Sequence, residues 1–221
     1  AKQLITLDHL SSGRLELGVG VGAYREEFEA LQPDDPSHRG NIVEEGVRAL
    51  KILFSEDRAS FEGDFYRFRD VQLFPKPLQE KLPIYFGGNN VNQLRRTATL
   101  GDGWLPAGLP LERISADIVH LRELCHDAGR DFSEIAVAPQ YIALVDHDHD
   151  RAVERFSNSQ MHKHLVSLTR STLKEQAGIS MVDANLVGTP AEVVEKCLAL
   201  KTAGVTHLLG LYFAVNTVPE L

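Results

Sequence analysis

The stretch Pro83-Ile84-Tyr85-Phe86-Gly87-Gly88-Asn89-Asn90 decides how this chain is read. A short apolar run closed by turn residues reads as a buried parallel strand. Gly87 and Gly88 remove the Cβ where that strand ends, so a ligand can come close to backbone N–H groups. Asn89 or Asn90 can cap the helix that follows, over residues 91–100. A strand, a glycine turn and a helix N-terminus together make an anion site, because unpaired N–H groups and the helix dipole point the same way. The alternative is a tight βα turn with no ligand, since Gly-Gly turns are common.

Working outward, the same alternation recurs. Leu4, Leu7 and Leu10 are spaced for one helical face, and Ser11-Ser12-Gly13 stops that helix. Residues 15–20 read as a strand with Leu15, Leu17, Val19 and Val21 on one face and a glycine-rich end, Gly20-Val21-Gly22. These glycines lie within the strand and no G-x-x-G follows, so this is not a dinucleotide-binding fingerprint. A helix is predicted over 41–54, then period-two alternation over 60–68 and 71–74, read as an antiparallel flap at about 60–77. Residues 103–105 form a short strand carrying Trp104, and 111–128 a helix stopped by Gly129. Residues 135–144 read as a strand, and a helical insertion is expected at about 150–182. Thr189-Pro190-Ala191-Glu192 is a capping-box start for a helix ending at Gly204, and 205–213 is a last buried strand. Strands alternating with helices, each strand apolar throughout, make a parallel sheet of βα units.

Composition narrows the function. The chain has 221 residues, 43% hydrophobic and 24% charged, as in globular proteins, and its net charge of -8 argues against nucleic acid. The sequence has no run of 18 apolar residues, so no membrane-spanning helix is expected. Cys125 and Cys197 lie in helical patterns without a C-x-x-C partner and read as reduced thiols, which with the absence of a leader pattern suggests a cytoplasmic protein.

Taken together the motifs resemble the luciferase-like flavin-dependent oxidoreductase family. The resemblance is carried by Leu7-Asp8-His9-Leu10-Ser11-Ser12-Gly13-Arg14, Leu17-Gly18-Val19-Gly20, Arg39-Gly40 with Glu44-Glu45, and Phe61-Glu62-Gly63 with Tyr66. Phe74-Pro75-Lys76-Pro77, the opening stretch, residues 101–106, Ala128-Gly129-Arg130-Asp131, Gly188-Thr189-Pro190 and Ala203-Gly204-Val205 continue it. The pattern is closest to the subgroup that uses the deazaflavin coenzyme F-420. The resemblance implies an α/β fold, a (β/α)8 TIM barrel, here trimmed of its first three strands and last helix, with residues 1–221 as one partial domain. It implies coenzyme F-420 as the first choice of cofactor and FMN as the second, a small-molecule substrate and a homodimer. It also implies an oxidoreductase performing hydride transfer or monooxygenation. A non-catalytic flavin-binding protein on a shortened barrel is the alternative.

By the same resemblance the cofactor phosphate goes to Gly87, Gly88 and Asn89, with Gly20, Val21 and Gly22 alongside. Trp104 is then either a wall beside the ring or a core residue at the barrel top. No catalytic residue and no metal ligand is assigned, since the hard chemistry of a flavin resides in the cofactor. Asp146-His147-Asp148-His149-Asp150 looks like a metal cluster but precedes a helix, where acids are favoured as caps. His162 and His164 fall on different helical faces. His207 sits in a buried strand, either as a core residue or facing the barrel mouth. Arg39 is expected to pair with Glu44 or Glu45. Glu26 and Glu27 either touch substrate or are simply solvated.

Overall fold

In the computed structural model, residues 1–22, 29–31, 38–169 and 177–213 are described. Apart from one antiparallel pair, their strands are parallel and lie in a four-stranded and a three-stranded sheet that meet in one line. β1 (Leu17–Val19) pairs with β4 (Ile84–Gly87), β4 with β5 (Gly103–Leu105), and β5 with β6 (Ala136–Val137). Pro139 interrupts the line, and β7 (Gln140–Val145) continues it. The Ala107–Gln140 bridge and the bond from Gln140 N–H to Pro106 O carry the pairing past the break. On its other side β7 pairs with β9 (Gly210–Phe213). Strand is found in all five segments expected from the sequence: 103–105 as expected, 15–20, 83–87 and 205–213 shortened, and 135–144 divided at residues 138–139 into β6 and β7. Residues 205–209 are not strand, although Thr206 and Leu209 donate their N–H groups to Val137 O and Pro139 O.

The sequence reading missed β8 (Leu186–Gly188), which pairs with the far end of β7. A side chain bridges the gap between the end of β5 and the start of β8. Asn185 Oδ1 accepts the Ile142 N–H at 3.0 Å, in the position of a ladder rung, while its Nδ2 donates to Met181 O. β2 (Ala59–Glu62) and β3 (Arg67–Val71) form a separate antiparallel pair, the flap. The Glu45 carboxylate ties down its turn by accepting the N–H groups of Asp64, Phe65 and Tyr66.

Four helices cover one side of the strand line, and two more lie on the other face of β7. α2 (Arg39–Ser55) and α3 (Val91–Leu100) pack on Ile84 and Phe86. α4 (Leu111–Asp127) and α7 (Pro190–Ala203) pack on Trp104, Val137, Tyr141 and Ala143. α5 (His149–Asn158) and α6 (Gln160–Leu168) lie against the opposite face of β7, on Ile142 and Leu144. The N-terminal helix α1 (Lys2–Leu10) departs from expectation. Ile5 and Asp8 are buried, while Leu7 is 51% and Leu10 77% exposed. The decisive contact is polar: Asp8 accepts the N–H groups of Leu78 and Gln79 and the Gln79 side-chain amide, which turns that face of α1 inward. Burial works to raise the Asp8 pKa, but these donors outweigh it and hold it below the ordinary carboxylate range.

Candidate functional site

The two glycine turns sit side by side. The last register pair between β1 and β4 is Val19 with Phe86, so Gly20 follows next to Gly87 at the same end of the sheet. A Cβ added at Gly20 would meet nothing within 4 Å, so the backbone there borders open space. Arg39 Nη1 lies 3.5 Å from Gly22 O. It therefore brings a cation to this turn, whereas Glu44 pairs with Arg48 and Arg96 and Glu45 with the flap.

Gly88 has φ +120°, where a side chain is strained, and a Cβ there would lie 3.1 Å from Gln93 Cγ. Its N–H donates to Leu105 O at 3.1 Å, so that donor is spent within the sheet rather than offered to a ligand. Its carbonyl accepts from Trp104 Nε1 at 2.9 Å. Trp104 is fully buried in the outer core beneath α3 and α4, so of the two expectations for it the core position is the one observed. Its contact with the strand-end turn runs through that carbonyl.

Asn89 is 4% exposed. Its Oδ1 accepts the Ala107 N–H at 2.9 Å, which fixes the amide's orientation and leaves Nδ2 pointing away. Nδ2 is buried and has no acceptor. Asn90 is the helix cap, accepting the Gln93 N–H through its side chain at 3.2 Å. Among the described residues no hydrogen bond engages the N–H groups of Asn89, Asn90, Val91 and Asn92. The turn after β4 thus presents several backbone donors, one helix N-terminus and one buried amide donor without a partner. A buried polar group left unpaired costs about 1–3 kcal/mol, so an acceptor arriving there would recover that cost.

The other sequence candidates lie elsewhere. Asp148 caps α5 through the Arg151 N–H, and Asp146 holds the guanidinium groups of Arg151 and Arg155. The Arg151 hydrogen bond, then that of Arg155, overcomes burial and keeps Asp146 well below the usual carboxylate range. His149 Nδ1 lies 3.1 Å from the Glu192 carboxylate. Asp146, Asp148 and His149 are therefore engaged in ion pairs and a cap, and no His, Cys, Asp and Glu group suited to a metal occurs among the described residues. His207 faces Tyr85 across 6.0 Å between ring centres. Burial, with Glu16 beside it, pushes the Tyr85 phenol up to about 12. His162 packs edge-on against Phe156, and His164 lines a cavity with Gln140. Glu26 and Glu27 lie outside the described residues. The resemblance assigned Asn89 to the phosphate, but only the fold shows that its Oδ1 is taken by Ala107 and that Nδ2 is the donor left over.

Two hollows adjoin the strand ends. A groove of about 740 Å³ runs along the edge of β1 between α2 and the flap, and only its upper end, Gly20 to Gly22 with Arg39, reaches the turns. A smaller space of about 310 Å³ lies between residues 107–108, β7 and α6. The larger groove is mainly a sheet edge, so the chemistry is to be sought at the turns and the smaller space.

A parallel α/β ribbon with helices between its strands and backbone donors at the C-terminal strand ends is the arrangement of part of a TIM-type barrel. Residues 1–207 match the luciferase-like monooxygenase family model, and the chain belongs to that family. It is 32% identical over 235 residues to an FMNH(2)-dependent dimethylsulfone monooxygenase of Pseudomonas putida, covering 95% of this chain and 64% of the relative. An F-420-dependent glucose-6-phosphate dehydrogenase of Kineococcus radiotolerans is 27% identical, with 95% of this chain and 66% of that protein covered. Among solved structures, an F-420-dependent secondary alcohol dehydrogenase superposes with a TM-score of 0.80 at 21% identity, over 99% of this chain and 69% of that one. The fold is therefore the luciferase-like TIM barrel. The chain spans somewhat less than two thirds of the length of the curated monooxygenase it matches.

Proposed function

We propose that the protein is a flavin-type oxidoreductase acting on a small organic molecule, with coenzyme F-420 or FMN as cofactor. Similar proteins of both kinds support this class, since one is named for FMNH(2) and another for F-420. The observation that carries the reading is the unpartnered, buried Nδ2 of Asn89 beside the free N–H groups that open α3. A cofactor phosphate fits that donor set: two or more main-chain donors, a helix N-terminus and a side-chain amide. Asn89 and the first turn of α3 would hold it, with Gly20, Val21 and Gly22 alongside and Arg39 adding charge. Gly87 and Gly88 give the backbone room to turn, and Trp104 positions the Gly88 carbonyl rather than touching the ligand.

The bound cofactor supplies the redox chemistry, hydride exchange for a deazaflavin or oxygen activation for reduced FMN. This chain's residues bind it, orient it and exclude water. A cytoplasmic homodimer belongs to the same proposal and is tested by light scattering of the purified full-length protein. Titrating that protein with each cofactor and following fluorescence quenching tests the central reading. Binding of one cofactor with turnover of a small substrate supports it. Binding without turnover of any substrate favours a flavin-binding protein without catalysis, and binding of neither cofactor removes the proposal.

A further inference from the structure

Among the described residues Arg96 is the only basic residue that is buried, at 6% exposure. It lies on the second turn of α3. A helical side chain leans toward the N-terminus of its helix, so the guanidinium rises toward the first turn of α3, under Asn92. It also reaches α2. A Cβ added at Gly40 would overlap Nη2 and lie 3.0 Å from Cζ, so the group is pressed against the second residue of that helix. The guanidinium thus lies between two helix starts. That of α2 meets the Gly22 carbonyl through Arg39, and that of α3 follows Gly87-Gly88.

Its charge is incompletely compensated. Glu44 Oε2 lies 3.4 Å from Nε, but the same carboxylate accepts a hydrogen bond from Arg48 at 2.7 Å. Nε itself is buried without a hydrogen-bond partner. Burial pulls the Arg96 pKa down and Glu44 opposes it, yet a guanidinium stays charged. Neither helix carries an acid in its first turn, where one is favourable, and the cap residue of α2, His38, makes no side-chain cap. Two helix starts and one buried cation therefore add to the same positive field beside the N–H groups of residues 89–92. We propose that Arg96 is a positioning residue for the cofactor phosphate. It fixes the starts of α2 and α3 against each other, and its charge makes them prefer a phosphorylated cofactor over the same ring system without phosphate. The proposal rests on the flavin-type reading above and names the residue that sets this preference. An ion pair that only tied α2 to α3 would affect both forms of the cofactor equally.

The test uses the full-length protein and fluorescence titrations. Each cofactor is compared with its unphosphorylated form: riboflavin for FMN, and the deazaflavin without its phosphate-linked side chain for F-420. Arg96→Met keeps the apolar stem, removes the charge and leaves Glu44 with Arg48. Affinity for the phosphorylated form is expected to fall about tenfold, while the unphosphorylated form stays within about twofold. Arg96→Lys keeps the charge and is expected to recover to within about threefold of wild type. Gly40→Ala pushes the guanidinium aside without removing it and improves helix propensity, so it folds even if Arg96→Met does not. It is expected to lower the preference for phosphate about threefold. An unchanged preference in Arg96→Met, or in Gly40→Ala should the first not fold, would overturn the proposal. If wild type binds neither cofactor, the flavin reading falls and inorganic phosphate decides Arg96. A rise in melting temperature in wild type that the variants lack upholds the assignment, and equal shifts overturn it.

Discussion

Replacing Asn89 with aspartate separates the anion site from the fold. Asparagine and aspartate have the same shape, and aspartate retains an oxygen for the Ala107 N–H that now bonds Oδ1 at 2.9 Å. What changes is the second atom: the unpartnered Nδ2 donor becomes an acceptor oxygen carrying charge. A hydrogen bond to an ionised phosphate contributes about 1.5–3 kcal/mol, so its loss alone weakens cofactor binding roughly 10- to 150-fold. Repulsion between carboxylate and phosphate adds to that. Folding is expected to survive, because a negative charge beside the first turn of α3 is favourable by about 0.3–1 kcal/mol. Asn89→Ala is the poorer variant, since it also strands the half-buried Ala107 N–H. The assay is a fluorescence titration of the full-length protein with coenzyme F-420 and with FMN, paired with thermal melts of the cofactor-free protein. A dissociation constant within about twofold of wild type, with an unchanged melt, would refute the assignment of the phosphate to Asn89.

Other consequences follow from the same geometry. Gly88→Leu forces a side chain into the left-handed region and against Gln93, and is expected to abolish cofactor binding while circular dichroism still reports a folded barrel. Asn185→Ala leaves the Ile142 N–H without an acceptor. It is expected to cost about 1–3 kcal/mol in urea unfolding, with β8 amides losing hydrogen-exchange protection first. The His149–Glu192 pair gives a pH signature. The hydrogen bond to Glu192, then its charge, raises the His149 pKa, so its contribution is complete below about 6.5, the unperturbed value, and fades as pH rises through the raised one. The Thr189 N–H, then His149, brings Glu192 down to about 2, so the Glu192 contribution is present above its ordinary 4.5 and fades toward pH 2. Melting temperatures measured across this range should fall at both ends, and His149→Gln should flatten the neutral limb.

The parallel βα alternation was legible in the chain because its signals are local, whereas the barrel entered only through the resemblance to the family. Apolar runs end in Gly87-Gly88 or Gly20-Val21-Gly22, and Thr189-Pro190-Ala191-Glu192 forms the capping box it spells out. β8 was not legible, since three residues, Leu186–Gly188, are too short to show a period and are completed by a side chain, Asn185, from outside the ladder. The Leu4, Leu7 and Leu10 stripe misled for a related reason. A buried carboxylate, Asp8, outranked it through partners about 70 positions away in sequence, and no helical periodicity encodes those.

At the site the division is the same. Residue order alone determined that a strand, a glycine turn and a helix start meet at residues 86–91, since backbone freedom and capping depend on near neighbours. Only tertiary structure decided which donors there are free. Gly88 N–H is consumed by Leu105, Trp104 is drawn into the outer core, and Asn89 keeps one amide hydrogen unpaired because its oxygen is claimed by Ala107. Hydrogen-bond capacity is spent between strands distant in sequence, so what remains for a ligand is known only once every strand is in place.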